Sequence, residues 1–129
     1  MRIAVDFDGT LAGWGRYPVP GEPNEEVFEA VKRLQKSGHQ IILWTCREGH
    51  HLDMAIRYCE DRDLRFDAVN ETLYSYVPGL GKRKVIADIY IDDKAIRPDE
   101  IHMIDQFMER VEINDGRMRK DLKGIKLSP

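Results

Sequence analysis

Three short apolar runs, each ending in polar residues, constrain this chain more than any other feature. Ile3-Ala4-Val5, Ile41-Ile42-Leu43-Trp44 and Val85-Ile86-Ala87-Asp88-Ile89-Tyr90-Ile91 are continuous or nearly so, with little apolar–polar alternation. Such runs read as strands buried on both faces, and both-face burial is the signature of a parallel sheet. Amphipathic stretches lie between them. A helix is expected over 24–37, with Asn24 as its cap, Glu25 and Glu26 at the positive end of its dipole and Gly38 as its terminator. Val27, Val31 and Leu34 share one face of it. A second helix is expected over 49–62, with Leu52, Ala55, Ile56 and Cys59 inward, and a third over 99–112 through Ile101, Ile104, Met108 and Val111. Strands are expected over 2–7, 41–44, 66–70 and 85–91. The βαβαβ alternation implies an α/β domain, a parallel sheet covered by helices on both faces.

A chain of 129 residues suits a single domain, expected over 1–115 and followed by a polar, basic tail over 116–129. The net charge of −3 gives no general attraction to nucleic acid or to anionic membranes. No apolar stretch reaches membrane-spanning length, and the amino terminus lacks a signal peptide's apolar core, so no membrane partner is expected. Cys46 and Cys59 are too few for a disulfide scaffold and lack metal-ligand spacing. A reduced, cytoplasmic setting follows as the expectation.

Parallel sheets bind their ligands beyond the carboxyl ends of the strands. The residues found there are Asp6 and Asp8, then Thr45-Cys46-Arg47, then Asp92-Asp93. Asp6-Phe7-Asp8-Gly9 alone fits two readings, a carboxylate site or an Asp- and Gly-rich turn that caps the next segment. Four carboxylates, a hydroxyl and a guanidinium at three strand ends favour the site. Their chemistry suits a divalent cation and an anion, with Mg²⁺ the cation that carboxylates and phosphate oxygens hold best together. Thr45 can donate to phosphate oxygens, while Arg47 and Lys84 supply positive charge.

Asp6-Phe7-Asp8-Gly9-Thr10, Thr45 after an apolar strand, Lys84, and Ile91-Asp92-Asp93 resemble, in order, the four motifs of the haloacid dehalogenase (HAD) superfamily. The resemblance covers residues 3–93 and little sequence between the motifs. It implies a three-layer, doubly wound, Rossmann-like fold and a Mg²⁺-dependent phosphatase acting on a phosphomonoester. Asp6 would be the nucleophile that forms an aspartyl-phosphate, and Asp8 the general acid and then base. Thr45 would hold a phosphoryl oxygen, and Lys84 would balance charge, with Lys82 the alternative. Asp6, Asp8 (through its carbonyl), Asp93 and Asp92 are the implied metal group. Gly9, Thr10, Cys46 and Arg47 are the candidate substrate contacts. A carboxylate at position 8 favours phosphoryl transfer over carbon–halogen cleavage.

Caps in this superfamily are inserted where this chain has only 11–23 and 71–83, so the resemblance implies a capless member. An open site needs cover from a large substrate or from a second subunit, which makes a homo-oligomer one expectation. A phosphorylated small molecule is the leading substrate class, with a nucleic-acid end as the second. Motif order and completeness separate two rival readings. A signalling receiver domain also uses Asp, Thr, Lys and Mg²⁺, but it places a mid-chain phosphoacceptor Asp before its Thr. A catalytically silent phosphate-binding module is disfavoured by the intact Asp6, Asp8, Thr45, Lys84 and Asp93.

Other conspicuous residues have duller readings. Adjacent His50 and His51 lack helical ligand spacing for zinc. Cys46 reads as a packed small residue, and Trp14 and Tyr17 as anchors of the glycine-rich loop, with stacking on a substrate ring as the sharper option. Asp88 reads as a buried, hydrogen-bonded support, and the face of Ile101, Ile104 and Met108 as packing on the sheet. Arg117, Arg119, Lys120, Lys123 and Lys126 read as a solvated tail.

Overall fold

A computed structural model describes residues 1–73 and 84–122, with side chains through Ile113. Its elements, in order, are β1 (Arg2–Val5), α1 (Glu25–Lys36), β2 (Gln40–Leu43), α2 (Gly49–Glu60), β3 (Ala68–Val69), β4 (Ile89–Ile91), a 3₁₀ turn (Pro98–Met103) and α3 (Ile104–Leu122). The sheet has four strands in the order β3-β2-β1-β4, all paired in parallel. The chain leaves β1 for one side of the sheet and returns at β4 on the other, so β1 and β4 are neighbours at the point where the order reverses.

Local chemistry sets the ends of α1. The Asn24 side chain accepts from the Val27 amide at 3.3 Å, and acidic and basic residues sit in the first and last turns as the helix dipole favours. At the other end Gly38 lies at φ +95°, and the amides of Gly38 and His39 bond back to Gln35 and Leu34. That pattern is a Schellman stop, and it needs a residue tolerant of positive φ.

Strand periodicity sorts the core onto two faces. Ile3, Val5, Ile41 and Leu43 meet Phe28 and Val31 of α1 and Ala55 and Cys59 of α2. Ala4 and Ile42 face the other way, against Val85, Leu73, Trp44 and Tyr90. Both α1 and α2 therefore cover the same face.

Five expectations are corrected. The strand over 66–70 shrinks to two residues because the Asp67 carboxylate caps the Ile41 amide at 2.7 Å. The strand over 85–91 is ordered as strand only from Ile89, because side chains replace ladder partners before it. Tyr90 Oη donates to the Val85 carbonyl at 2.6 Å, and Thr72 Oγ1 accepts from the Ile86 amide at 3.0 Å. Asp88 is a hydrogen-bonded support, as expected, but it is exposed. It accepts from the Arg2 amide at 2.8 Å, and that contact holds its carboxyl below the usual range. Residues 99–112 open as a 3₁₀ turn behind Pro98, and the helix then continues past 116 to Leu122. Ile101, Ile104 and Met108 do not pack on the sheet: they are 60%, 38% and 53% exposed. The tail's basic side chains, and Lys82, lie outside the described residues.

Phe28 joins α1 to the sheet and is 1% exposed. Phe28→Ala is expected to lower unfolding free energy by about 3–5 kcal/mol, read from urea melts. A loss under about 1 kcal/mol would contradict its place in the core.

Candidate active site at the β1–β4 strand ends

The site follows from register. Val5 pairs with Leu43 of β2 on one side and with Ile91 of β4 on the other. The next residues, Asp6 and Asp92, therefore leave adjacent strands at one level, and ladder spacing holds neighbouring strands about 5 Å apart. The Asp6 amide donates to the Ile91 carbonyl at 2.9 Å, which extends the pairing to the nucleophile candidate itself. Asp93 completes a trio: one carboxylate oxygen each from Asp6, Asp92 and Asp93 lies within 4.8 Å of the other two.

The trio's electrostatics are unfavourable on their own. Burial first, then the charge of Asp92, pushes the Asp6 carboxyl up to about 7, against an opposing hydrogen bond from the Phe7 amide. Burial and then a hydrogen bond and charge from Asp92 push Asp93 up to about 6, and Lys94 opposes that shift. Oδ2 of Asp93 is buried with no hydrogen-bond partner. Three converging carboxylate oxygens, hard ligands of like charge, suit a proton or a divalent cation.

Gly9 makes this packing possible. It sits at φ +85°, and a β-carbon there would collide with Oδ2 of Asp93 and reach 3.0 Å from the Trp14 ring. Any side chain there would force Asp93 to shift. Gly9 is thus a packing requirement of the acidic trio. Thr10 is buried, and its hydroxyl donates to Oδ2 of Asp6 at 3.4 Å.

Asp8 does not join the trio through its carboxylate. Its two oxygens take a fork from Arg47, Nε to Oδ2 and Nη2 to Oδ1, each at 2.8 Å. Arg47 is 2% exposed, and its remaining terminal nitrogen donates to the Pro18 and His51 carbonyls at 2.8 and 3.2 Å. Phe7 and Tyr17 lie over the guanidinium at 5.0 and 4.9 Å. The structure thus places Arg47 behind Asp8, engaged with protein groups, and not at the crevice surface where a substrate contact was expected.

A crevice of about 460 Å³ opens over the strand ends, lined by Asp6, Asp8, Thr45, Cys46, Asp92 and Asp93 together with Trp14, Tyr17, Trp44 and Lys94. Cys46 is exposed there, not packed as expected. Tyr17 anchors its loop through the Arg47 guanidinium and His51, and Trp14 and Tyr17 both form part of the crevice wall. Thr45 is held by Asn70, whose side chain accepts from the Thr45 amide at 2.8 Å. Lys84 is exposed and sits over the Tyr90 ring, 5.4 Å from its centre, outside the crevice lining.

Sequence reasoning missed two contributors. Lys94 enters the crevice wall and lies 5.2 Å from the Trp14 ring centre; its signal was its place directly after Asp92-Asp93. Asn70 was read as the end of a strand, yet it adopts φ +52°, which Asn tolerates better than most residues. A polar Asn closing an apolar strand was the available clue.

The raised carboxyls give a signed pH dependence. Asp6 and Asp93 bind protons more tightly in the fold than at their ordinary 3.8, so their contribution is intact below that value. It is lost as pH rises through about 6 and about 7. Metal-free protein should melt at a higher temperature at about pH 5 than at about pH 8, and Asp6→Asn should narrow the gap. A gap unchanged by that substitution would contradict the electrostatic reading of the trio.

Neither a protein-family model nor a curated protein matches the chain. Among solved structures it is similar to a conserved protein of Bacteroides thetaiotaomicron, with 41% identity and a TM-score of 0.66 over 82% of this chain and 90% of that one. At that identity and coverage, the chain belongs to the same family as this conserved Bacteroides protein.

Proposed function

We propose that the chain is a Mg²⁺-dependent phosphatase of the HAD superfamily, doubly wound and capless, that hydrolyses a phosphomonoester through an aspartyl-phosphate on Asp6. The observation that carries this reading is the convergence of Asp6 with Asp92 and Asp93 in a crevice that Thr45 also lines. The motif order supports it, as does the absence of any large insertion at 11–23 or 71–83. When bound to the trio, Mg²⁺ would offset its charge and draw the phosphoryl group's negative charge toward Asp6.

The chain's own residues then divide the work. An Asp6 oxygen attacks phosphorus, the bond from phosphorus to the leaving oxygen breaks, and that oxygen takes a proton from Asp8. Asp8 next accepts a proton from water, which attacks the aspartyl-phosphate and releases inorganic phosphate and free Asp6. The Thr45 hydroxyl oxygen accepts from the Arg47 amide at 3.2 Å, which leaves its own proton to donate to a phosphoryl oxygen. Lys94 supplies positive charge at the crevice in place of Lys84. The aromatic wall of Trp14, Tyr17 and Trp44 favours a small ester with a planar group.

Phosphate release from an aryl phosphate is the test. Activity should require Mg²⁺, disappear with EDTA, and fall by at least about 1,000-fold in Asp6→Asn. Lys94→Met should lower turnover by about 100-fold. Turnover that survives both chelation and Asp6→Asn would sink the proposal, and an unchanged Lys94→Met would return charge balance to Lys84 or Lys82.

A further inference from the structure

We infer that Arg47 is a positioning residue that fixes the Asp8 carboxylate at the crevice wall for proton transfer. The inference rests on the phosphatase reading above and extends it to a residue that cannot itself reach a substrate.

Three observations carry it. The Asp8 side chain is 20% exposed and lines the crevice, whereas the Arg47 side chain is 1% exposed and does not. Contact between them is bidentate, so it sets the plane of the carboxylate as well as its distance. Guanidinium rotation is blocked in turn by Phe7 and Tyr17 and by bonds to two backbone carbonyls. A planar fork locked on every side is a template for one carboxylate orientation.

The same residue reaches the other side of the site. Its amide donates to Thr45 Oγ1, so Arg47 orients Thr45 with its backbone and Asp8 with its side chain. One residue thus sets the relative position of the proton donor and a phosphoryl-holding hydroxyl.

Its effect on the reaction follows from hydrogen-bond matching. The fork fits an ionised carboxylate, which can accept at both oxygens. As the proton leaves Asp8 for the departing oxygen and the bond to phosphorus breaks, Asp8 becomes that carboxylate. Arg47 therefore favours the state reached at the end of proton transfer. Esters whose leaving oxygen needs a proton should depend on it more than esters that leave readily as anions.

Arg47→Lys keeps the amide contact and a positive charge but loses the fork. Wild type and Arg47→Lys should be compared on 4-nitrophenyl phosphate, a ready leaving group, and on glycerol 2-phosphate, a poor one. kcat should fall by about 100-fold on the glycerol ester and by less than about 5-fold on the aryl ester. Equal losses on both, or no loss on either, would overturn the role and leave Arg47 a structural ion pair. No turnover of either ester by the wild type would instead contradict the phosphatase reading itself. Where Arg47→Lys fails to fold, Phe7→Leu carries the same comparison, because Phe7 covers the guanidinium without lining the crevice and its loss leaves the fork's partners in place. Its glycerol-ester rate should fall several-fold more than its aryl-ester rate, and an equal fall would overturn the role.

Discussion

The register of Val5 between Leu43 and Ile91 is the constraint on which the crevice depends. Parallel strands in that register end together, so Asp6 and Asp92 arrive side by side at a distance that the backbone ladder sets. The cost of the resulting charge density is visible in the raised carboxyls of Asp6 and Asp93. Apolar burial along β1 and β2, on both faces of the sheet, is what holds that unfavourable cluster in place. A slip by one residue would separate the acids and invert both core faces.

Behind the acids stands a second layer. Arg47 is buried under Phe7 and Tyr17 and joins the loop at Pro18, the start of α2 at His51, and Asp8. Tyr58 adds to the same region: its hydroxyl donates to the Gly21 carbonyl at 2.8 Å, and its ring meets Phe7 edge-on. The glycine-rich loop is therefore attached to the core through polar contacts from α2 and the Arg47 turn. The orientation of the Asp8 carboxylate and the anchoring of the loop share one set of bonds.

Much of this was legible from residues alone. The apolar runs located β1 and β2, Asn24 and Gly38 bounded α1, and the polar residues after each run marked the crevice. Elements that depend on side-chain partners were not legible. The short β3 and β4 result from Asp67 and Tyr90 bonding to backbone, which a periodicity argument does not see. Arg47 read as a substrate contact because burial of a lone guanidinium depends on a partner 39 residues away. Lys84 stood at the right place in the motif order, but among the described residues it is Lys94 that lines the crevice. The apolar side chains of 101–108 have helical spacing whether or not a sheet lies beneath them, so spacing did not determine their burial.

Asp6 is proposed to carry the phosphoryl group during turnover. Quenching the enzyme in mid-turnover with borohydride, followed by peptide mapping, tests it directly. Reduction of an acyl phosphate converts its aspartate to homoserine. The account requires homoserine at position 6, appearing only with substrate and Mg²⁺. Active turnover with Asp6 unmodified, or with the modification at another carboxylate, would contradict it.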